Sequence, residues 1–194
     1  MSLDENKYNN SLQELSNSDF KIVDGEPNII GWDVRSDLDA DLGEVEELLF
    51  DPESRSVRYL VVELSDKDNG LEDKKVLIPI GIAQLHESND EVTIPNITLT
   101  QLAALPAYEK GQLTPENEVH IRNLLSNPTA AQSGVVAVYQ RDEFYTHPHF
   151  NDENFYRRDR TLTGEAKGRS CRIEQRPIDR TQNSDPGNET PGTF

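Results

Sequence analysis

The segment VRYLVVEL at residues 57–64 restricts the fold more than any other part of the chain. Side chains alternate between the two faces of a strand, so Leu60, Val62 and Leu64 fall on one face and Val57, Tyr59 and Val61 on the other. Both faces need apolar cover, which a sheet open to water on one side does not supply. Further short apolar runs surround it: Ile29, Ile30, Trp32 and Val34; VEELLF at 45–50; VLIPIGIAQL at 76–85, bent at Pro79 and Gly81; and EVTIP at 91–95. Turn chemistry separates them, with SDLDADLG at 36–43, Asp51 followed by Pro52, and DKDNGLEDK at 66–74. Five or six short strands with no helical period between them predict a mainly β fold, a small antiparallel barrel.

Helical signals begin only after the strands. Thr98 and Gln101 have capping-box spacing ahead of LAAL, and Pro106 stops that helix. Thr114 followed by Pro115 starts a second, with Val119, Ile121, Leu124 and Leu125 as its buried stripe and Asn127-Pro128 as its end. GVVAVYQ at 134–140 reads as one more extended segment.

Apolar residues are 34% of the 194 and mean hydropathy is -0.72, so a core forms only where they concentrate. The expected organisation is a flexible segment at 1–19, a barrel domain with its following helices at 20–125, an extended aromatic-rich docking segment at 126–159, and a disordered polar tail at 160–194. Leu3, Leu12 and Leu15 are left outside the core on this reading. The net charge of -17 resides almost wholly in the body: residues 1–140 carry 26 acidic and 10 basic side chains. Such a field repels phosphate backbones, which argues against nucleic-acid binding by the body. One cysteine, Cys171, excludes an internal disulfide framework, and the polar, acidic beginning MSLDENKYNN lacks a signal pattern, so a cytoplasmic location is expected.

IIGWDVR at 29–35, LFDPESRSVRYLVVEL at 49–64, KVLIPIG at 75–81 and LTQLAALPAY at 99–108 resemble, in order and spacing, the PRC-barrel family. That family includes the cytoplasmic domain of the photosynthetic reaction-centre H subunit, stand-alone bacterial proteins, and the C-terminal domain of the ribosome maturation factor RimM. The resemblance covers about residues 20–125, and LPAY followed by a Thr-Pro helix start is similar to the H-subunit branch. H subunits begin with a membrane-spanning helix and RimM proteins with another barrel, neither of which fits before residue 29. The resemblance therefore implies a stand-alone PRC-type barrel with a binding or assembly role.

Three clusters are candidates for chemistry. Asp37, Asp39 and Asp41 alternate like the first ligands of a calcium loop, but Leu42 and Leu48 stand where glycine and a bidentate glutamate belong, so a hairpin turn is expected. His147 and His149, with Asp152 or Glu153, could approach a metal, although Pro148 extends the backbone between the imidazoles. Phe144, Tyr145, Phe150, Phe155 and Tyr156 surround that pair and suit an element that docks its rings into a groove on the barrel or on a partner. Residues 157–180 hold eight basic and four acidic side chains and read as a solvated tail, with recruitment of an anionic partner as the alternative.

No phosphate loop, metalloprotease motif or nucleophile elbow is present, so no enzyme activity and no cofactor are expected. The expected function is a non-catalytic binding module for a protein partner, peripheral to a photosynthetic or electron-transport complex, with homo-oligomerisation also open. The alternatives are a metal-dependent sensor or enzyme using His147 and His149, and a RimM-like ribosome-assembly adaptor.

Overall fold

The computed structural model describes residues 12–65, 73–86, 89–126, 140–156 and 171–177. The segment expected to be extended at 134–140, apart from Gln140, lies outside them, as do residues 157–170 and 178–194. The strands are β1 (Gln13–Glu14), β2 (Phe20–Ile22), β3 (Asp33–Ser36), β4 (Asp41–Asp51), β5 (Ser56–Leu64), β6 (Lys74–Pro79), β7 (Gln84–His86), β8 (Glu91–Ile94) and β9 (Ile173–Gln175). The helices are α1 (Leu99–Ala104), α2 (Pro115–Ser126) and α3 (Arg141–Phe144).

The main sheet runs β6-β5-β4-β3-β8-β7, with β1 also on β4, while β2 and β9 form a separate pair. Both faces of β5 are buried, as its sequence requires: Val57, Tyr59, Leu60, Val61, Val62 and Leu64 all lie in the core. β4 reaches two partners on one edge, β3 along its first half and β1 near its end, because register shifts at Val45/Glu47 and Leu49/Phe50 bend it. The hairpin from β4 to β5 follows the turn signal. Asp51 accepts from the Glu53 N–H and the Ser54 hydroxyl, both at 3.0 Å.

The mainly β reading holds, but the strand ladder is not a closed antiparallel ring. β3 and β8 pair in parallel, and no ladder joins β6 to β7 among the described residues. The pairings make β6 and β7 run in the same direction, one after the other through the bend at residues 80–83. Consecutive strands running the same way cannot pair side by side without a crossover, so the two ends of the sheet are joined by the chain itself. The run expected as one bent strand at 76–85 is thus two strands at opposite ends of the path.

Both helix starts form as their sequences indicate. The Gln101 N–H donates to Thr98 Oγ1 at 3.2 Å and the Thr98 N–H to Gln101 Oε1 at 3.1 Å, and α1 ends ahead of Pro106. In α2 the Asn117 N–H donates to Thr114 Oγ1 at 3.3 Å, with Ile121 and Leu124 buried. The Gln101 side chain donates to the Leu124 carbonyl at 3.0 Å and ties the helices together.

Two expectations about the termini need correction. Leu15 is in the core and its N–H donates to the Leu48 carbonyl at 3.0 Å, so the segment at 1–19 contributes a strand. Cys171 and Ile173, assigned to the polar tail, are also buried, and β9 pairs with β2. Both contributions are two- or three-residue strands, too short to show a period in a polar surrounding.

Candidate functional site

Residues 140–156 form a strap laid over the corner between β6 and β7. α3 starts it, and a 3-10 turn at Pro148–Phe150 follows, in which His147 Nδ1 accepts from the His149 N–H at 3.3 Å. Two backbone bonds fasten it: Gly81 N–H donates to the His149 carbonyl at 2.8 Å and Leu85 N–H to the Phe155 carbonyl at 2.7 Å. Gly81 is required by space, because a methyl group there would lie 2.6 Å from the Pro148 oxygen and 2.8 Å from Asn151 N and O.

All five aromatic residues singled out in the sequence, Phe144, Tyr145, Phe150, Phe155 and Tyr156, are buried, none more than 8% exposed. Phe150 meets Tyr59 of β5 edge-on at 5.3 Å and also touches Phe144 and Tyr145, at 5.2 and 4.9 Å. Beneath them Glu118 of α2, 5% exposed, accepts from the Tyr145 hydroxyl at 2.6 Å and the Tyr59 hydroxyl at 3.2 Å. The Arg58 guanidinium lies 4.5 Å from the Tyr145 ring centre, and Arg141 pairs with Asp51 at 3.1 Å. The rings are therefore buried within the chain, with Phe150 seated against Tyr59 of β5.

The candidate metal residues are not brought together. His147 and His149 pack edge to face at 4.4 Å, Asp152 turns away to accept from the Cys171 N–H at 3.1 Å, and Glu153 is exposed. Among the described residues no group of three His, Cys, Asp or Glu side chains could hold a metal ion. The Asp37, Asp39 and Asp41 carboxylates also diverge. Asp37 takes the Asn96 N–H at 3.4 Å, Asp39 pairs with Arg35 at 3.2 Å, and Asp41 caps the Gly43 N–H at 3.1 Å. Cys171 and Tyr156 are neighbours whose acidities are suppressed by burial, the thiol being pushed up to about 12.

His149 has its pKa pushed down to about 4, chiefly by burial and then by His147 and Arg122. In the unfolded chain the same group titrates near ~6.5, so below that pH the unfolded or undocked state binds the proton more readily. Strap docking is accordingly expected to be intact above about pH 6.5 and to weaken as pH falls toward 4. Strap hydrogen exchange across that range checks this, and His149→Gln should flatten the dependence. An unchanged pH dependence in His149→Gln would refute the assignment.

The strand register assembles a feature that the sequence alone does not display. Glu91 of β8 lies opposite Asp33 of β3, Asp33 opposite Glu44 of β4, and Glu44 opposite Glu63 of β5. Lys75 of β6 ends the row opposite Glu63. Arg35 pairs with Glu91 at 3.1 Å and Lys75 pairs with Glu46, whereas no ion pair reaches Asp33, Glu44 or Glu63 among the described residues. Like charges directly opposite on neighbouring strands are destabilising, so the arrangement opposes the stability of the sheet that carries it.

Residues 26–101 match the PRC-barrel domain family, a stretch running from just before β3 through β8 into α1. α2, the strap and β9 lie outside the matched stretch. A search of curated proteins gives no match.

Proposed function

We propose that the PRC-barrel domain of this chain is a non-catalytic protein-binding module whose acidic strand row meets a basic surface of its partner. The row carries the reading: three adjacent strands place Asp33, Glu44 and Glu63 side by side, with Lys75 opposite Glu63 at the row's end and no ion pair within reach of Asp33 or Glu44 among the described residues, at a cost to the fold. A basic surface laid across it supplies the missing charges, speeds encounter and fixes orientation. The net charge of -17 sets the same sign over the whole molecule and disfavours nucleic acid as the partner. No helix among the described residues is long and apolar enough to cross a membrane. A photosynthetic or electron-transport complex facing the cytoplasm is the partner class to test first, following the resemblance to the H-subunit branch.

Two results separate this reading from a purely structural role of the row. Glu44→Gln is expected to raise stability by roughly 0.2–1 kcal/mol, measured by denaturant unfolding, because it removes repulsion on both sides. Partners captured from host extracts on the immobilised chain should elute as salt rises toward about 0.5 M, where charge contacts are screened within a few ångströms. A destabilised Glu44→Gln, or capture indifferent to salt, would contradict the proposal.

A further inference from the structure

Leu38 and Leu99 are the large apolar side chains left most open to water among the described residues, at 87% and 38% exposure. One exposed leucine is ordinary on a protein surface. These two leave the sheet at the same end. β3 and β8 pair in parallel up to Ser36↔Ile94, so the turn that follows β3 and the turn that leads from β8 into α1 emerge side by side. The Asn96 N–H donates to Asp37 Oδ2 at 3.4 Å and joins the two turns, one continuing into Leu38 and the other into Leu99 at the start of α1.

The turn that carries Leu38 is held in shape by its own hydrogen bonds. Ser36 Oγ accepts from the Leu38 N–H at 3.3 Å and the Ala40 N–H at 3.1 Å, and the Ser36 N–H donates to the Ala40 carbonyl at 2.9 Å. Asp39 takes a positive φ of 63°, a conformation that Asp tolerates, and pairs with Arg35 at 3.2 Å. A side chain displayed on a backbone already fixed loses little further freedom when a partner covers it. Asp37, Asp39 and Asp41 are exposed around Leu38, and Arg35 is shared between Asp39 and Glu91. This end of the sheet thus offers apolar points inside an acidic border. Its complement is an apolar stripe inside a basic border, the face of an amphipathic helix rich in leucine and lysine.

We propose that the paired turns dock a basic amphipathic helix of a partner protein, with Leu38 as the anchor and Leu99 beside it. The proposal rests on the acidic row for the sign of the partner's charge and adds the apolar contact that a row of charges lacks. The probe is a peptide of two tandem copies of Leu-Lys-Lys-Leu-Leu-Lys-Leu, acetylated and amidated, titrated into the full chain at moderate salt with the Leu38 and Leu99 methyl groups followed by NMR. Saturable shifts of both are expected. A peptide of the same composition in scrambled order should bind at least tenfold more weakly, because burying a leucine is worth more than a factor of ten. Leu38→Ser, which alters no charge at an exposed position, should also weaken binding at least tenfold and leave the melting temperature unchanged. Undiminished binding of the scrambled peptide, or undiminished binding by Leu38→Ser, would mean that charge alone attracts the helix, which overturns the proposal and leaves the row reading in place. Methyl groups that do not shift with peptide, or that shift on concentrating the chain alone as a second copy covers them, overturn it too. The triple variant Asp33→Asn/Glu44→Gln/Glu63→Gln should bind the peptide more weakly and still show both methyl shifts. Unchanged affinity of that variant, with the shifts retained, supports the docking point and counts against the row alone.

Discussion

Gly43→Ala is expected to destabilise the sheet more than any other single substitution considered for this chain. Gly43 sits in β4 at φ +134°, and a methyl group there would lie 1.9 Å from the Glu63 carbonyl oxygen and 2.9 Å from its carbon. Neither atom is the end of a flexible side chain; both belong to the β5 backbone, whose two faces are packed into the core. Relief requires separating β4 from β5 where Gly43 pairs with Leu64, at the start of the longest ladder in the protein. Backbone strain alone costs of order 1–3 kcal/mol, and the overlap adds to it, so a total loss of about 4 kcal/mol or more is expected. That is a large part of the stability of a domain this size. Thermal unfolding followed by far-ultraviolet circular dichroism measures it, and a loss below about 1 kcal/mol would mean that this part of β4 is placed wrongly.

Gly81→Ala should produce a different failure. Here the atoms in the way belong to the strap, at Pro148 and Asn151, and not to a strand of the main sheet. The added methyl group pushes the strap off the corner, breaks the bond from Gly81 to His149, and removes Phe150 from Tyr59. A loss on the order of 2–3 kcal/mol is expected, confined to docking. Hydrogen exchange should rise through residues 144–156 while β4 and β5 stay protected. Loss of protection in β4 and β5 together with the strap would show that the sheet cannot stand without it.

The sequence discloses what depends on local spacing. β5 is readable because its apolar residues occupy both sets of alternating positions, and α1 because Thr98 and Gln101 are close enough in the chain to cap each other. The aromatic segment announces docking through its rings, but its seat does not, because the space over Gly81 is made by residues brought from far along the chain. The acidic row is hidden for the same reason. Asp33, Glu44, Glu63 and Glu91 are separate charges in the sequence and become neighbours only through three strand registers, one of them parallel. Cys171 and Ile173 sit in a short stretch of polar tail, and nothing local marks them as partners for β2 and the core.

The account rests on the acidic row as a partner-facing surface. The most direct measurement is quantitative affinity capture from the host, comparing the native chain with the triple variant Asp33→Asn/Glu44→Gln/Glu63→Gln at low and moderate salt. The substitutions remove three charges that repel one another, a gain partly offset by the lost attraction between Glu63 and Lys75, so the variant should be about as stable as the native chain. The account predicts that a partner retained by the native chain at low salt is depleted at least tenfold on the variant, and that the difference narrows as salt rises. Equal retention of the same partner by both chains, with the variant folded, would contradict it.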